Sequence, residues 1–358
     1  MDKYKVAVVG ASGYAGIDLV RLILAHPGFE LVAATAESDQ GQPLAERYPA
    51  LYGATDMVFC SVQDLDNIDL DAVFLAVPHT AAIELATRFW ERDIMIIDLS
   101  ADFRLKDPSV YESWYNNQHG ATWLLRSAVY GLPELYRSEL LKLAEGRRRN
   151  NKAGLVACPG CYPTASALAI APAIAAGAML PGHPVVVSAL SGASGMGRKP
   201  TDASHFVSIN ENARAYNVAK HRHTPEIEQT LSEEAGQPIL VQFTPHLVPM
   251  TRGIISTVTL SLLPGLNESI FRVIYSTAYD DEPFVKLLPP GHMPETKSVS
   301  GTNLAHIGIA FDARTDQLIA SCAIDNLGKG ASAQAIQCAN IVFGHPETLG
   351  LETLALTV

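Results

Sequence analysis

A strand that runs directly into a glycine-rich turn and then a helix opens the chain, and this feature most constrains the fold. Residues 5–9 are an almost continuous apolar run, as expected for a strand buried on both faces. The turn has glycines at Gly10, Gly13 and Gly16, and residues 17–24 have helical spacing. This order is the context that a dinucleotide phosphate loop requires. The first two glycines would let the backbone approach a pyrophosphate, and the third would allow close helix packing. A plain tight turn between strand and helix is the alternative.

Hydrophobic segments after this turn alternate between strand and helix patterns. The sequence predicts strands over Phe29–Ala36, Ala72–Val77 and Ile94–Asp98, and an amphipathic helix over Thr80–Trp90. Such alternation is typical of an α/β fold with a doubly wound parallel sheet. Ligands of these sheets bind outside the carboxyl ends of the strands. Four residues that follow predicted strand ends are therefore expected near a ligand: Pro78, His79, Ser100 and Arg104.

Charged residues follow two of the predicted strands, and they bear on which ligand would bind there. The second predicted strand leads to Glu37, where an NAD-binding domain places an acid on the ribose 2′-hydroxyl. Ser38 follows and no arginine is nearby in the sequence, so the choice between NAD and NADP stays open. Arg104 would bind a carboxylate or phosphate, or would pair with Asp98 or Asp102.

A cysteine stands on a Pro-Gly turn in the middle of the chain. The short apolar run 154–157 predicts a buried strand, and the Ala- and Leu-rich residues after Cys161 predict a helix that begins near Pro163. The N-terminus of a helix stabilises a negative charge. A cysteine there therefore has a lowered thiol pKa and is a candidate nucleophile. A small buried cysteine without chemistry is the alternative. Cys158, at the strand end, is the less favoured candidate for the reactive thiol.

Two histidines precede another predicted helix. Thr224 as the N-cap and Pro225 at the first helical position start this helix. His221 and His223, with Glu226 on the first turn, form an acid–base candidate. We favour His223 slightly, because Glu226 begins the same helical turn and would orient it. The His-x-His spacing would also suit a metal, but no third ligand has diagnostic spacing, so we predict no metal site.

Further cations follow turns in the second half of the chain. The Gly/Ser-rich segment after a predicted strand at 184–190 ends in Arg198 and Lys199, which would bind a phosphate together with backbone N–H groups; a mobile surface loop is the alternative. Arg252 follows a proline-rich turn and is another anion-binding candidate. Predicted strands at 242–250, 254–263, 305–311 and 317–324 indicate a second, mixed and largely antiparallel sheet.

Length and composition limit the class of protein. A chain of 358 residues is long enough for two domains. The net charge of −11 argues against a nucleic-acid partner, which requires a basic surface. Five cysteines without framework spacing indicate a reducing compartment. With no signal peptide and no apolar stretch long enough to span a bilayer, we expect a cytoplasmic protein without a membrane partner.

Eight segments in order along the chain resemble one family, N-acetyl-gamma-glutamyl-phosphate reductase. They are Gly10–Gly16, Ser100–Arg104, Tyr130–Glu134, Pro159–Thr164, Ser191–Lys199, His221–Glu226, Thr244–Leu247 with Arg252–Gly253, and Asn326–Gly330. The resemblance implies a Rossmann domain at 1–157 that the C-terminal helix segment 329–358 completes. It implies a catalytic and oligomerisation domain, similar to that of glyceraldehyde-phosphate dehydrogenase, at 158–328.

The resemblance also implies a cofactor, a substrate and a set of contacts. The cofactor is NADP(H), and the substrate N-acetyl-glutamyl phosphate, with inorganic phosphate as the second product and a homodimer or homotetramer as the assembly. The implied cofactor contacts are Gly10, Ser12, Gly13, Tyr14, Ala15, Gly16, Ser38, Pro78, Ser191, Gly192 and Asn326. The implied substrate contacts are Arg104, Arg198, Lys199 and Arg252. Many relatives carry an arginine just after the second strand, where this chain has Glu37.

The implied reaction is reductive dephosphorylation of an acyl phosphate through a thioester on Cys161, with His221 or His223 as the acid–base. Two rival interpretations remain at this point. Aspartate-semialdehyde dehydrogenase, or another acyl-phosphate reductase, would use the same chemistry on another substrate. A nucleotide-sensing protein without catalysis would keep the Rossmann domain alone.

Overall fold

The structure, a computed structural model, describes residues 3–356. The first two residues of the predicted domain 1–157 and the last two of the predicted segment 329–358 lie outside this range. The elements up to residue 157 are β1 Tyr4–Val9, α1 Tyr14–Ala25, β2 Phe29–Thr35, α2 Leu44–Arg47, β3 Ala72–Leu75, α3 Ala82–Trp90, β4 Met95–Asp98, α4 Pro108–Tyr115, α5 Thr122–Leu125, β5 Ala128–Tyr130, α6 Pro133–Asn150 and β6 Gly154–Ala157. Those that follow are α7 Cys161–Ala175, β7 Val185–Ser191, α8 Phe206–Ile209, β8 Arg214–Ala215, α9 Thr224–Ala235, β9 Val241–Leu247, β10 Ile254–Ser261, α10 Glu268–Tyr279, β11 Val285–Leu287, β12 Ala305–Asp312, β13 Gln317–Ile324 and α11 Ala333–Phe343.

Short helical turns complete the backbone description. The 3₁₀ turns are Pro49–Leu51, Gln63–Asn67, Ala193–Met196, Asp202–Ser204 and Lys297–Val299. A π-helical turn, Gly328–Ser332, precedes α11. The chain divides into two units, the first comprising the residues up to Pro159 with Ala331–Glu352, the second Gly160–Gly330 with the residues after Glu352.

The first unit is built on a six-stranded sheet in the order β2-β1-β3-β4-β6-β5, in which every neighbouring pair is parallel. Strand β3 and strand β4 are buried at every residue, because helices cover both faces of such a sheet. Strand order reverses between β1 and β3. A ligand crevice forms outside the carboxyl ends of the strands at such a reversal, and the glycine turn after β1 lies there.

The second unit is built on a seven-stranded mixed sheet in the order β11-β12-β13-β10-β7-β9-β8. Four of its neighbouring pairs are antiparallel, and the β11–β12 and β7–β9 pairs are parallel. Residues of β10 alternate between buried and half-buried, as expected for a sheet with one covered face. The predicted fold class, a Rossmann parallel sheet plus a mixed and mostly antiparallel second sheet, is confirmed.

Helix α7 covers the buried face of the second sheet. Every residue from Tyr162 to Ile174 is buried, so this helix is apolar on all sides and belongs to the core of its unit. It begins at Cys161, two residues before the predicted start near Pro163, with Gly160 as its N-cap. The predicted start was wrong because proline is also accepted later in the first turn, where its missing N–H has no helical partner.

Candidate functional site

The glycine turn of the first unit has the geometry of a phosphate loop. Gly10 has a φ of +81°, and a Cβ there would lie 2.4 Å from the carbonyl oxygen of Ala76. A Cβ on Gly16 would lie 2.2 Å from the Gly10 carbonyl oxygen, so the helix packs on the turn rather than on the strand alone. Gly13 is the N-cap of α1 and brings no side-chain cap to its first turn. The turn therefore presents backbone N–H groups that fit a pyrophosphate.

The end of β2 places two predicted ligand residues at the surface. Glu37 and Ser38 are both exposed, and the Ser38 hydroxyl donates to the carboxylate of Asp39 at 2.9 Å. An arginine distant in sequence is also present, because Arg47 Nε lies 3.5 Å from the other carboxylate oxygen of Asp39. The sequence has no arginine next to Ser38, and the fold brings Arg47 to Asp39, the residue that follows it. Sequence spacing did not indicate this contact, because Arg47 is the last residue of α2 and only the folded loop brings it to Asp39 after β2.

Arg104 reaches two backbone carbonyl groups within the first unit. Its Nε donates to the Cys158 carbonyl at 2.7 Å and its Nη2 to the Leu99 carbonyl at 2.7 Å, and the side chain is buried. The guanidinium thus joins the chain after β4 to the chain after β6. Beside it, burial raises the pKa of Asp98 to about 7, although the Ser100 hydroxyl and N–H both donate to this carboxylate.

A buried carboxylate that the sequence analysis did not assign holds the loop after β3. Asp102 accepts hydrogen bonds from the Thr80 N–H at 2.8 Å, from the Ala82 N–H at 3.1 Å and from the Tyr111 hydroxyl at 2.8 Å. These bonds fix the residues that follow the exposed Pro78 and His79. The sequence did point to this region, because Asp102 is part of the Ser100–Arg104 segment. It did not indicate the hydrogen bond with Tyr111, because that residue lies on a separate helix, α4.

Cys161 is the first residue of α7 and its side chain is half-buried, whereas Cys158 is fully buried in the first unit. A Cβ on Gly330 would lie 2.7 Å from the Cβ of Cys161, so the backbone of Gly330 packs against the thiol-bearing residue. Only glycine fits at that contact. A partly accessible thiol at the N-terminus of a buried helix is suited to act as a nucleophile.

His221 is held as a neutral ring. Its Nδ1 accepts the backbone N–H of His223 at 3.1 Å, so in the neutral ring the proton is on Nε2. The rings of Tyr162, Tyr216 and Phe243 surround it at centroid distances of 5.3 to 5.5 Å. The His223 ring lies at 4.9 Å. Burial and the positive charge of Arg222 lower the pKa of His221 to about 4. At neutral pH the ring is therefore uncharged, and its Nε2–H is a hydrogen-bond donor.

Glu226 reaches the turn that precedes the cysteine. Its Oε1 accepts the backbone N–H of Gly160 at 2.8 Å, and the residue is 1% exposed. Helix α9 begins at Thr224 with His223 as its N-cap, one residue earlier than predicted. The first turn of α9 therefore carries His223 and Glu226 to the start of α7, and this carboxylate contacts the cysteine turn directly.

A buried aspartate joins the loops at one end of β7, β10 and β13, which are inner strands of the second sheet. Asp325 pairs with Arg252 Nε at 2.9 Å and accepts the backbone N–H groups of Gly301, Leu327 and Gly328 at 2.6 to 3.1 Å. Next to it, Asn326 accepts from the Gly253 N–H at 2.7 Å and donates to the Ser194 hydroxyl at 2.8 Å.

These bonds place several predicted ligand residues in one loop cluster. Arg252 and Asn326 hold loops together in this structure, and a Cβ on Gly192 would lie 2.9 Å from the Thr251 carbonyl oxygen. Ser191 is buried, with its hydroxyl on the Gly192 carbonyl at 3.1 Å. Arg198 is half-buried and Lys199 exposed, after the turn Ala193–Met196. Asp325, which the sequence analysis did not assign, is the centre of this cluster.

The described residues give two further results. Among residues 3–356, no group of three or more His, Cys, Asp or Glu side chains is arranged to hold a metal ion. Within the same residues, no helix is both long and apolar enough to cross a membrane.

Comparison with known proteins identifies the family. Residues 5–143 match the model "Semialdehyde dehydrogenase, NAD binding domain" and residues 161–326 match "Semialdehyde dehydrogenase, dimerisation domain". The chain resembles solved aspartate semialdehyde dehydrogenases in fold. The enzyme II of Vibrio cholerae, complexed with ASA, has a TM-score of 0.71 at 15% identity over 96% of this chain and 98% of that one. The Candida albicans enzyme with NADP has a TM-score of 0.70 at 15% identity over 95% and 98%.

Sequence relatives are much closer. The N-acetyl-gamma-glutamyl-phosphate reductase of Pelotomaculum thermopropionicum is 47% identical, with 97% of this chain and 97% of that protein aligned. The protein of the same name from Moorella thermoacetica is 44% identical over 98% of this chain and 99% of that protein. Identity at this level over nearly the whole length confirms the resemblance that the eight segments carried. The chain belongs to the N-acetyl-gamma-glutamyl-phosphate reductase family.

Proposed function

We propose that this protein reduces N-acetyl-L-glutamyl 5-phosphate to N-acetyl-L-glutamate 5-semialdehyde with NADPH and releases inorganic phosphate, a step of arginine biosynthesis. The observation that carries the proposal is a half-buried Cys161 at the first position of α7, in a chain whose relatives of that name align over nearly its full length. The glycine turn fits the pyrophosphate of a dinucleotide, which supplies a hydride when bound.

Cys161 carries the acyl group. Its thiolate attacks the acyl carbon, a C–S bond forms, and the C–O bond to phosphate breaks with its electron pair leaving on phosphate. After hydride addition to the thioester carbon, the oxyanion takes a proton from His223. The same imidazole then removes that hydroxyl proton, the C–S bond breaks, and the thiolate leaves the aldehyde product. Proton transfer of this kind contributes roughly 10²–10⁴-fold to the rate.

The other residues position these two groups. His221 is neutral and supports the backbone of His223 through Nδ1. The Glu226 carboxylate accepts the Gly160 N–H and so stabilises the turn before Cys161. Arg104 and Arg252, both predicted to bind substrate, already donate to carbonyl groups and to Asp325. We propose that all four cations line the substrate site, and that Arg198 and Lys199 bind its anionic groups, because a guanidinium and an ammonium suit phosphate and carboxylate.

We propose that residues 1–157 with the segment 329–358 bind the dinucleotide and that residues 158–328 carry the acyl group. We also propose a cytoplasmic homodimer or a tetramer of such dimers. The half-buried face of β10, with Ile255, Thr257 and Thr259, gives the second unit a sheet surface suited to a copy of itself. Sedimentation of the purified protein as a monomer at micromolar concentration would contradict this assembly.

Steady-state kinetics in the reverse direction test the function. We expect phosphate-dependent reduction of NADP⁺ with N-acetylglutamate 5-semialdehyde and little with aspartate semialdehyde. The second substrate is the control for the aspartate-semialdehyde dehydrogenase alternative, which the fold alone does not distinguish. Preference for aspartate semialdehyde would overturn the substrate, and inactivity with both aldehydes would overturn the reaction.

A further inference from the structure

We propose that Arg47 binds the 2′-phosphate of NADP and thereby determines the choice of NADP over NAD. This inference rests on the proposed function, whose cofactor it specifies by residue. In dinucleotide-binding folds an acid after the second strand holds the ribose 2′-hydroxyl for NAD, and a nearby arginine accommodates the 2′-phosphate for NADP. This chain has Glu37 at the first of these positions, so an arginine must come from elsewhere if NADP is preferred.

Asp39 brings Arg47 next to the end of β2. One oxygen of this carboxylate accepts the Ser38 hydroxyl at 2.9 Å, and the other lies 3.5 Å from Arg47 Nε. A single carboxyl group therefore holds a hydroxyl and a guanidinium side by side. The Ser38 hydroxyl and the Arg47 guanidinium therefore lie together on Asp39, just after β2, and the ribose of a bound dinucleotide lies at the end of this strand.

Tyr48 ties the same segment to the phosphate loop. Its hydroxyl donates to the Ser12 carbonyl at 2.6 Å, within the glycine turn that fits the pyrophosphate. The Arg47 guanidinium carbon lies 5.7 Å from the centre of the Tyr48 ring, a cation–π contact. Arg47 therefore contacts Asp39 after β2 and the ring of Tyr48, and it is Tyr48 that is bonded to the glycine turn.

Backbone hydrogen bonds fix the loop that carries α2. The Gly41 N–H donates to the Phe59 carbonyl and the Leu44 N–H to the Met57 carbonyl, each at 2.9 Å. The Cys60 N–H in turn donates to the Ala34 carbonyl of β2 at 3.0 Å. Position 47 is thus set by the sheet itself, so the guanidinium does not depend on a long unsupported loop.

The chemistry of the side chain suits a phosphate. The ion pair with Asp39 engages Nε, and the Arg47 side chain is 41% exposed. A guanidinium has five N–H donors, and the fork formed by its terminal amino groups matches two phosphate oxygens. The Ser38 hydroxyl, which donates to Asp39, adds a polar group beside it.

Charge in this segment makes the assignment selective. Between Ala36 and Tyr48 the sequence contains three acidic residues, Glu37, Asp39 and Glu46, and Arg47 is its single cation. Without that cation the segment would repel a 2′-phosphate, while Glu37 would still accept a hydrogen bond from a ribose hydroxyl. Removal of Arg47 should therefore weaken NADP binding and leave NAD binding intact or improved.

Binding of nucleotide fragments to Arg47→Ala tests this directly by calorimetry. The probes are 2′,5′-ADP, which carries the 2′-phosphate, and 5′-AMP, which lacks it. We expect the variant to lose about 10- to 100-fold in affinity for 2′,5′-ADP, the range for a hydrogen-bonded charge, and to bind 5′-AMP as the wild type does. Arg88→Ala removes an arginine paired with Asp66 elsewhere in the first unit and is the matched control.

Two results would overturn the inference: unchanged affinity of Arg47→Ala for 2′,5′-ADP, or an equal loss for both probes. Turnover of the variant with NAD⁺ shows that the protein is folded. Failure of the proposed function is distinguishable, because it would leave the wild type without turnover of N-acetylglutamate 5-semialdehyde, whichever nucleotide fragments it binds.

Discussion

At the scale of single residues, two cysteines three positions apart differ in what surrounds them. Cys161 is half-buried at the N-terminus of α7, and Cys158 is buried after β6. We expect Cys161→Ser to lower turnover by on the order of 10⁶-fold, the scale seen when an enzyme loses its nucleophile. Cys158→Ser is the matched control and should retain most activity. Nucleotide titration and steady-state kinetics measure both, and an equally deep loss at Cys158 would refute the assignment.

The two histidines are expected to differ in their effect on the pH–rate profile. His221 has a pKa of about 4, so it is neutral between pH 5 and 8 and contributes no titration there. A general acid must be protonated to act, so with His223 in that role the rate of acyl-phosphate reduction should fall as pH rises. Loss of His223 should remove this limb and cost roughly 10²–10⁴-fold. In His221→Gln the limb should persist at lower rate. Its disappearance in the His221 variant alone would reverse the two roles.

Residue types were predictable from the sequence, but their partners were not. Cys161, His223 and Arg252 were predictable because turns, caps and strand ends are local signals. Asp325 was not, because its partners Arg252 and Gly301 are 73 and 24 positions away in the chain. Arg47 was not either, because only the folded loop that carries α2 brings it to Asp39. Ion pairs across loops depend on the folded path of the backbone, and no spacing rule encodes it.

At the scale of elements, the close contact between α7 and the turn before α11 limits what position 330 accepts. A Cβ on Gly330 would lie 2.7 Å from Cys161 Cβ, so Gly330→Ala must displace the nucleophile or the turn. We expect a loss of stability of about 1–3 kcal/mol, typical of overpacking, and a lower kcat. Gly146→Ala is the control, since among residues 3–356, apart from the adjoining backbone of α6 itself, nothing lies within 4 Å of a Cβ at this position. It should stabilise the protein by about 0.5–1 kcal/mol. Thermal melts and kinetics of both variants provide the test, and unchanged activity in Gly330→Ala would contradict it.

Strands were predicted more accurately than helix ends. The strand β13 was predicted at its observed bounds, and β12 within one residue, because two largely apolar runs flank the polar turn at 312–316. The predicted C-terminal helix segment starts with the π-helical turn Gly328–Ser332, and the α-helix α11 begins only at Ala333. Local propensity does not distinguish the two kinds of helical turn. Asp325 and close packing at Gly328 and Gly330 impose this one.

At the scale of the whole molecule, stability should depend on a buried histidine of the first unit. His26 accepts the Gly28 N–H on Nδ1 at 3.0 Å, while its Nε2 lies 3.1 Å from the Asn340 side-chain oxygen and 2.9 Å from the Leu349 carbonyl. It thereby joins the turn before β2 to the segment after α11. Burial lowers the pKa of His26, and the neighbouring His345 and Lys3 act in the same direction, against the hydrogen bonds to Leu349 and Asn340.

The sign of the pH effect follows from that lowered pKa. The stabilisation is fully present above the unfolded value of about 6.5 and is lost as pH falls toward the folded value, because the unfolded chain takes up a proton first. We expect the melting temperature to fall below about pH 6.5 in the wild type. His26→Asn should be less stable at pH 8, and its melting temperature should change less with pH. Parallel curves for the two proteins between pH 5 and 8 would contradict this prediction.

The central claim is that Cys161 holds the substrate as a thioester, and a burst experiment tests it most directly. The enzyme is mixed rapidly with N-acetylglutamate 5-semialdehyde and NADP⁺ in the absence of phosphate, so the acyl group cannot leave to phosphate. We predict a burst of NADPH close to one equivalent per active site, followed by slow turnover, with the acyl group found by mass spectrometry on the peptide that contains Cys161. Steady NADPH formation without a burst, or an acyl group on Cys158, would contradict the account.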